Sequence, residues 1–488
     1  MTLLLAGIAA VAVLVSLMNW RHGLLVLIVI GFIQDPLRKL TPGQPVALTV
    51  FVAVIFSASI IGAFIRGQRL DGSQLVRWFP SLRNSMACFA ALVVLQSIAT
   101  VFRYHNFTLA GIGLLGYLSP LAAIIAFFQY PRSWADIHRW LRFYIAASAV
   151  MAVSMFLQFR GYSPAIFESI ALDSVYGIGG RIAMLCGIMR SSEMAAFHAS
   201  AAACLALMLA CIVHSRRGQI FYASLVPFFL LAVVLGGRRK MLAQFTLYAL
   251  TFLFLLVRSR RAFSRVTSLV SSLVLVVVLF VSSLLLTDPQ NSTLTPYLDR
   301  SASVFGEAGE RLQLMTTGTM GMVLSITGVL GTGAGTTSQG SQYFGGSENI
   351  IAQAPAEGGL GRVLAELGLP GLLCIFWLGL GLLRIIRVIV HEARARPTSE
   401  AVLIYGLVAF IPSHAAVFVT AHQVYGDPFV LLVLGAFFGF AMSARRLAVL
   451  DAVRAERAAS AAAARAQLGR RRPLPMRQPA AAQGSSSP

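Results

Sequence analysis

The chain is short of charge: Asp, Glu, Lys and Arg make up 12% of its 488 residues, roughly half the share of an ordinary soluble domain. Acidic residues are scarcer still, 18 against 39 basic ones. Five cysteines give no framework: Cys88, Cys204, Cys211 and Cys374 fall within apolar segments and Cys186 stands alone in a loop. Neither a disulfide pattern nor a metal-ligand spacing is visible. The period-two alternation of a membrane β-barrel is missing, as is any internal repeat that would point to an inverted-repeat transporter. There is no Walker-type phosphate loop and no Asp-x-Asp pair at a plausible outer site. The first apolar run, "LLLAGIAAVAVLVSLM", has no basic leader and no small-residue cleavage site, and reads as a retained anchor.

What the chain has is hydrocarbon, 57% of its residues. Apolar stretches recur over 2–19, 23–33, 46–65, 84–102, 107–128, 140–158, 193–213, 219–235, 240–257, 266–286, 368–386, 401–420 and 428–444. Most are close to the ~20 residues that cross a bilayer core as a helix. The expected fold is an all-α polytopic membrane protein of about 12–13 transmembrane helices, the count depending on the short second segment. The expected layout is ten spans over 1–286, a large outer loop over 287–367, three spans over 368–444, and a basic tail over 445–488. The tail opens as an Ala/Arg helix and ends in low complexity.

The net charge of +21 does not imply nucleic acid. Arginine collects in 66–83, 131–142, 214–219, 258–265, 384–396 and the tail. With these spans all six fall on one side, which sets them in the cytoplasm. Cations on the other side therefore need a reason. Arg181 and Arg190 precede one outer helix end in "GIGGRIAMLCGIMRSSEMAAFH", and Arg238, Arg239 and Lys240 form an outer turn in "GGRRKMLAQF". Lipid headgroups or neighbouring carboxylates account for any one of them. As a group, guanidinium forks converging at an outer boundary suit the oxygens of a phosphate-bearing ligand. With no metal motif, the arginines themselves would stabilise a departing pyrophosphate.

The stretch "PAEGGLGRVLAELGLPG" (355–371) closes the large loop. Arg362 and Glu366 lie four apart, on one helical face, and Gly368, Pro370 and Gly371 break that helix and launch a span. The segment resembles the end of the outer loop in the O-antigen ligase and polysaccharide polymerase superfamily of bacterial envelope glycosyltransferases, a GT-C-like fold. Ligases there carry a His followed by Asn, Ser or Gln, nine residues, and Gly-x-x-Gly. Gly368 and Gly371 match; Glu357 and Gly358 stand at the two polar positions, which is more like the polymerase-type members. The paired outer arginines and three spans after a large loop add to the likeness. At motif level it covers about 181–198, 236–246 and 328–371.

The resemblance implies a bacterial inner-membrane enzyme with its site facing the periplasm. Its donor would be an undecaprenyl-pyrophosphate-linked glycan, its acceptor a glycan or lipid A-core, with chain-length regulators or other assembly proteins as further partners. Glu357 would be the catalytic base, and Arg181, Arg190, Arg238 and Arg239 would hold the pyrophosphate. Arg362, Glu366, Glu193, His198 and His422 would support them, with no cofactor and no metal, and the anomeric centre would invert. Polymerisation of repeat units is the first expectation and ligation the second. A transporter or flippase of an anionic lipid-linked solute is the rival from another class. For single residues the plainer readings are a helix-stabilising Arg362–Glu366 pair, a core-satisfied His198, and an Asp427 that pairs with an outer arginine. His414 and His422, lacking a third ligand, do not suggest zinc.

Overall fold

The computed structural model describes residues 2–68, 70–170, 174–177, 180–259, 294–302, 313, 319–338, 341–344 and 358–470. The expected span at 266–286 and Glu357 lie outside them, as does the side chain of Arg181.

The chain is a multi-pass helical protein. Ten of the expected segments appear as helices long and apolar enough to cross a membrane. They comprise α3 (Phe51–Ile65), α5 (Arg83–Tyr104), α6 (Phe107–Gln129), α7 (Trp134–Phe159), α8 (Ser192–Ile212), α9 (Arg216–Leu235), α10 (Arg239–Arg258), α14 (Gly359–Ala393), α15 (Thr398–Thr420) and α16 (Pro428–Arg470). The first two segments form α1 (Thr2–Met18) and α2 (Trp20–Leu40). Between the spans lie the short helices α4 (Gly72–Trp78), α11 (Thr295–Ala302), α12 (Thr319–Thr327) and α13 (Ser341–Phe344). Among the described residues the one departure from helix-only structure is an antiparallel hairpin. Its strands β1 (Ser174–Gly177) and β2 (Gly180–Ala183) pair Tyr176 with Arg181. The chain divides into two units, Met1–Ala444 and Arg445–Pro488. The second is helical to Arg470 and carries an exposed Arg454–Asp451 pair.

Helix α8 is the axis of the first unit. Its sequence, "SEMAAFHASAAACLALMLACI", has no polar face, and a helix apolar all round belongs inside. All of its residues are buried. Its alanines let α7, α9, α10 and α15 pack closely against it, since small residues bring helix backbones together. The lipid-facing surface is of another kind: Leu373, Phe376 and Trp377 of α14 are exposed.

Side-chain contacts define two ends of the bundle. At one, Trp20 Nε1 donates to Gln68, Arg21 Nε donates to the Tyr130 carbonyl, and Arg396 lies over the Trp134 ring. The arginine-rich connections 66–83 and 131–142 meet there. At the other end gather the C-termini of α2, α7, α9 and α15 and the N-termini of α8, α10 and α16. The cations singled out in the sequence are there.

Two local features place the site. Ser191 caps α8, its side chain accepting from Met194 N, which starts the helix just after Arg190. Helix α14 begins at Gly359, inside the expected loop, and is broken once, at Gly368 (φ 66°, ψ −167°). A Cβ at Gly368 would collide with the Val329 and Leu330 carbonyls. Its positive φ and this close approach together demand glycine.

Candidate functional site

Two polar clusters occupy the end opposite the arginine-rich loops. The first is built from helix ends far apart in sequence. Arg190, in the turn before α8, forms ion pairs with Asp427 and with Asp35 of α2 (3.5 Å for the latter), and its backbone N–H donates to Asp35 at 3.0 Å. Burial works against the Arg190 charge, and the Asp427 and Asp35 carboxylates more than offset it, holding the guanidinium above its ordinary range. Asp427 also accepts from Val430 N at 3.0 Å, an N-cap for α16. One turn into α8, Glu193 pairs with Lys240, and the Gln423 amide reaches both Glu193 oxygens at 3.2 Å. Arg238 Nε donates to Ser192 Oγ at 2.8 Å. Lys39 bonds the carbonyls of Ile166 (3.0 Å) and Gly187 (2.9 Å). From α11, Arg300 Nε donates to the Gly237 carbonyl at 3.2 Å, and the Tyr297 hydroxyl donates to Ala183 O at 2.7 Å.

The cluster thus joins Lys39, Arg190, Arg238, Arg239, Lys240 and Arg300 to three carboxylates, Asp35, Glu193 and Asp427. Cations outnumber anions two to one. Arg238 and Arg239 are half-buried. An excess of positive charge at a partly dry helix terminus is suited to an anionic ligand.

The second cluster is built around Glu366. Its carboxylate is fully buried and accepts from Gly335 N (2.8 Å), Thr337 N (3.1 Å), Thr337 Oγ1 (2.8 Å) and Arg362 Nε (3.3 Å). The donors belong to the glycine-rich loop "GTGAGTTS" (331–338). A run of backbone N–H groups in such a loop forms an anion-binding concavity, here filled by the protein's own carboxylate. The same loop is tied down by Thr332 N to Ala365 O (2.8 Å), Gly333 N to Glu366 O (3.0 Å) and Leu369 N to Val329 O (2.8 Å). Helix α5 adds Gln96 Nε2 to Leu330 O and Thr100 Oγ1 to Ala334 O. Gly335, with φ 89°, runs against the Leu109 carbonyl of α6.

The clusters approach each other through α15. Gly359, two residues after Glu357, packs on the Phe418 carbonyl. The Phe418 ring meets Tyr425 edge-on, with centroids 5.5 Å apart, in the same 3-10 turn as Gln423.

The expected site residues divide accordingly. Arg190, Glu193 and Arg238 are brought together, with Arg239 next in the chain, and His422 caps the Gln423–Gly426 turn beside them. Arg190 is spent on two carboxylates, which makes it a strut between α2, α8 and α16 rather than an open anion ligand. Asp427 pairs with an outer arginine, as expected. Arg362 and Glu366 do form an ion pair, and Glu366 also holds a loop thirty residues upstream. His198 is a core residue: fully buried, bonded to the Tyr144 hydroxyl at 2.7 Å, and surrounded by Phe32, Phe197 and Phe429. Missed in the sequence were Asp35, Lys39 and Arg300. Lys39 and Asp35 carried a usable signal, charges at the end of an otherwise apolar segment. Among the described residues no group of His, Cys, Asp and Glu could hold a metal ion. No protein-family model matches the chain, and no sequence among the curated proteins matches it.

Proposed function

We propose that this protein is a membrane glycosyltransferase that polymerises lipid-pyrophosphate-linked glycan units, with its site at the cluster-bearing end, facing the periplasm of a bacterial inner membrane. One observation carries the reading. The cation-rich cluster of Arg238, Arg239, Lys39 and Arg300 stands at a helix-end boundary, where a lipid-linked diphosphate would place its charge. The segment that follows Glu357 is anchored beside that cluster through Gly359 and Phe418.

In this reading the pyrophosphate lies against Arg238 and Arg239, whose forks match its oxygens. Arg190, Asp35 and Asp427 hold the three elements that present them. An acceptor hydroxyl attacks the anomeric carbon, its proton passes to the Glu357 carboxylate, and the C–O bond to the pyrophosphate breaks. The leaving oxygen gains negative charge beside the arginines, where stabilisation counts most.

The test is deletion of the gene followed by analysis of surface glycans, with complementation by wild type, Arg238→Ala and Glu357→Ala. A polymerase leaves single repeat units on lipid A-core when deleted. A ligase leaves full-length chains on the lipid carrier, and a flippase leaves its substrate on the cytoplasmic leaflet. Near-normal chains with both substitutions defeat the catalytic assignment.

A further inference from the structure

Arg362 and Tyr117 present hydrogen-bond donors that the protein itself does not use. Arg362 spends its Nε on Glu366. Among the described residues its two terminal nitrogens have no carbonyl or carboxylate at hydrogen-bonding distance. Its guanidinium carbon lies 5.6 Å from the Tyr117 ring centroid, and its side chain keeps 6% exposure, whereas Glu366 keeps none. The Tyr117 hydroxyl is buried and has no hydrogen-bond partner, although it is within electrostatic reach of both Arg362 and Glu366. Helix α6 leaves room at this point: a Cβ on Gly116 would stand 3.4 Å from Arg362 Nη2. The Tyr117 ring is fixed edge-on against Phe89, with centroids 6.2 Å apart.

A buried hydroxyl without a partner costs free energy, and a guanidinium left with spare donors beside it compounds that cost. Both groups are donors toward an incoming oxygen. The guanidinium charge is already balanced by Glu366, so the pair suits a neutral acceptor rather than a second phosphate. Arg362 is also five residues after Glu357, on the same segment. We propose that Arg362 and Tyr117 form a subsite for a neutral oxygen of the acceptor glycan, a hydroxyl or an amide carbonyl. This rests on the glycosyltransferase reading and adds to it a residue, Tyr117, and an acceptor-side role for Arg362.

Tyr117→Phe is a clean probe, because the hydroxyl it deletes holds nothing in the protein. It is compared with wild type and Arg238→Ala in the full-length chain. The readouts are the melting temperature of the purified protein and, in membranes, the polymerisation rate as acceptor and donor are varied separately. The expected result is an unchanged or raised melting temperature with the acceptor KM up roughly three- to tenfold, the worth of one hydrogen bond, and the donor KM unmoved. Wild-type kinetics in Tyr117→Phe, with Arg238→Ala inactive, overturn the subsite and leave the glycosyltransferase reading standing. A lowered melting temperature also overturns it, since the hydroxyl would then be serving the fold. If gene deletion leaves every surface glycan intact, the parent reading falls. The subsite is then judged by thermal shift with millimolar glucose or N-acetylglucosamine: a shift in wild type that Tyr117→Phe loses supports it, and equal or absent shifts overturn it.

Discussion

The two polar clusters use the same chemistry, guanidinium against carboxylate, to different ends. Around Glu366 the charges cancel, every carboxylate lone pair in view is taken, and the donors come from one helical turn and one loop. Around Arg190 the charges come from α2, α8, α10, α11 and the α15–α16 connection, cations are in excess, and Arg238 and Arg239 stay half-buried. A closed, neutral cluster can only hold the protein together. An open, positively charged one is left able to bind something else. Substitutions should separate the two, with stability falling in one and function in the other.

The largest loss of stability is expected from Glu366→Ala. It strands a buried guanidinium and leaves the Gly335 and Thr337 N–H groups unpaired, and breaking a buried ion pair costs about 3–5 kcal/mol. Glu366→Gln keeps the shape and one acceptor oxygen, and should lose about half as much. Thermal melting of the purified protein measures both, and hydrogen exchange of residues 329–338 should rise in the alanine variant. Equal, small effects would mean that the loop is held by its backbone bonds alone.

Arg190→Ala comes next, at about 2–4 kcal/mol, because it leaves Asp35 and Asp427 uncompensated, tempered by the 15% exposure of the arginine side chain. The comparison is sharpened by removing all the charges at once: Asp35→Asn, Arg190→Met and Asp427→Asn together should recover most of the loss. If the triple variant melts as low as Arg190→Ala, the penalty is packing and not charge. Gly335→Ala should cost less from the backbone alone, about 1–2 kcal/mol for a left-handed residue, with an added clash against Leu109 O. Its melting curve tests whether the loop has any slack.

How far these arrangements could be read in advance depends on the range of the contacts. Segments such as 193–213 and 401–420 declare themselves through continuous hydrocarbon, and the Gly368 break through its own glycines and proline. The Arg362–Glu366 pair is local, four residues apart, and was legible. The partnership of Glu366 with Gly335 and Thr337 was not, because the glycine-rich loop looks the same whether it cradles a phosphate or a side chain. Asp35 and Lys39 were hidden for a related reason. The second apolar segment was taken to stop at 33, whereas α2 runs on to Leu40 and delivers both charges to α8 and its neighbours. Arg300 reaches the cluster only because α11 folds back onto the α9–α10 turn, a contact across sixty residues that no local pattern encodes.

The smallest structural effect and the largest functional one should coincide at Arg238→Ala. Arg238 is half-buried and its printed role in the fold is one bond from Nε to the Ser192 hydroxyl, so its loss should cost below about 1 kcal/mol. Arg238→Lys keeps the charge but gives up the fork that reaches two oxygens at once. If the open cluster grips a diphosphate, the alanine variant should melt like wild type and make no polymer, with the lysine variant between them. A wild-type level of polymer in Arg238→Ala would remove the contrast between the clusters, since the open one would then be as purely structural as the closed one.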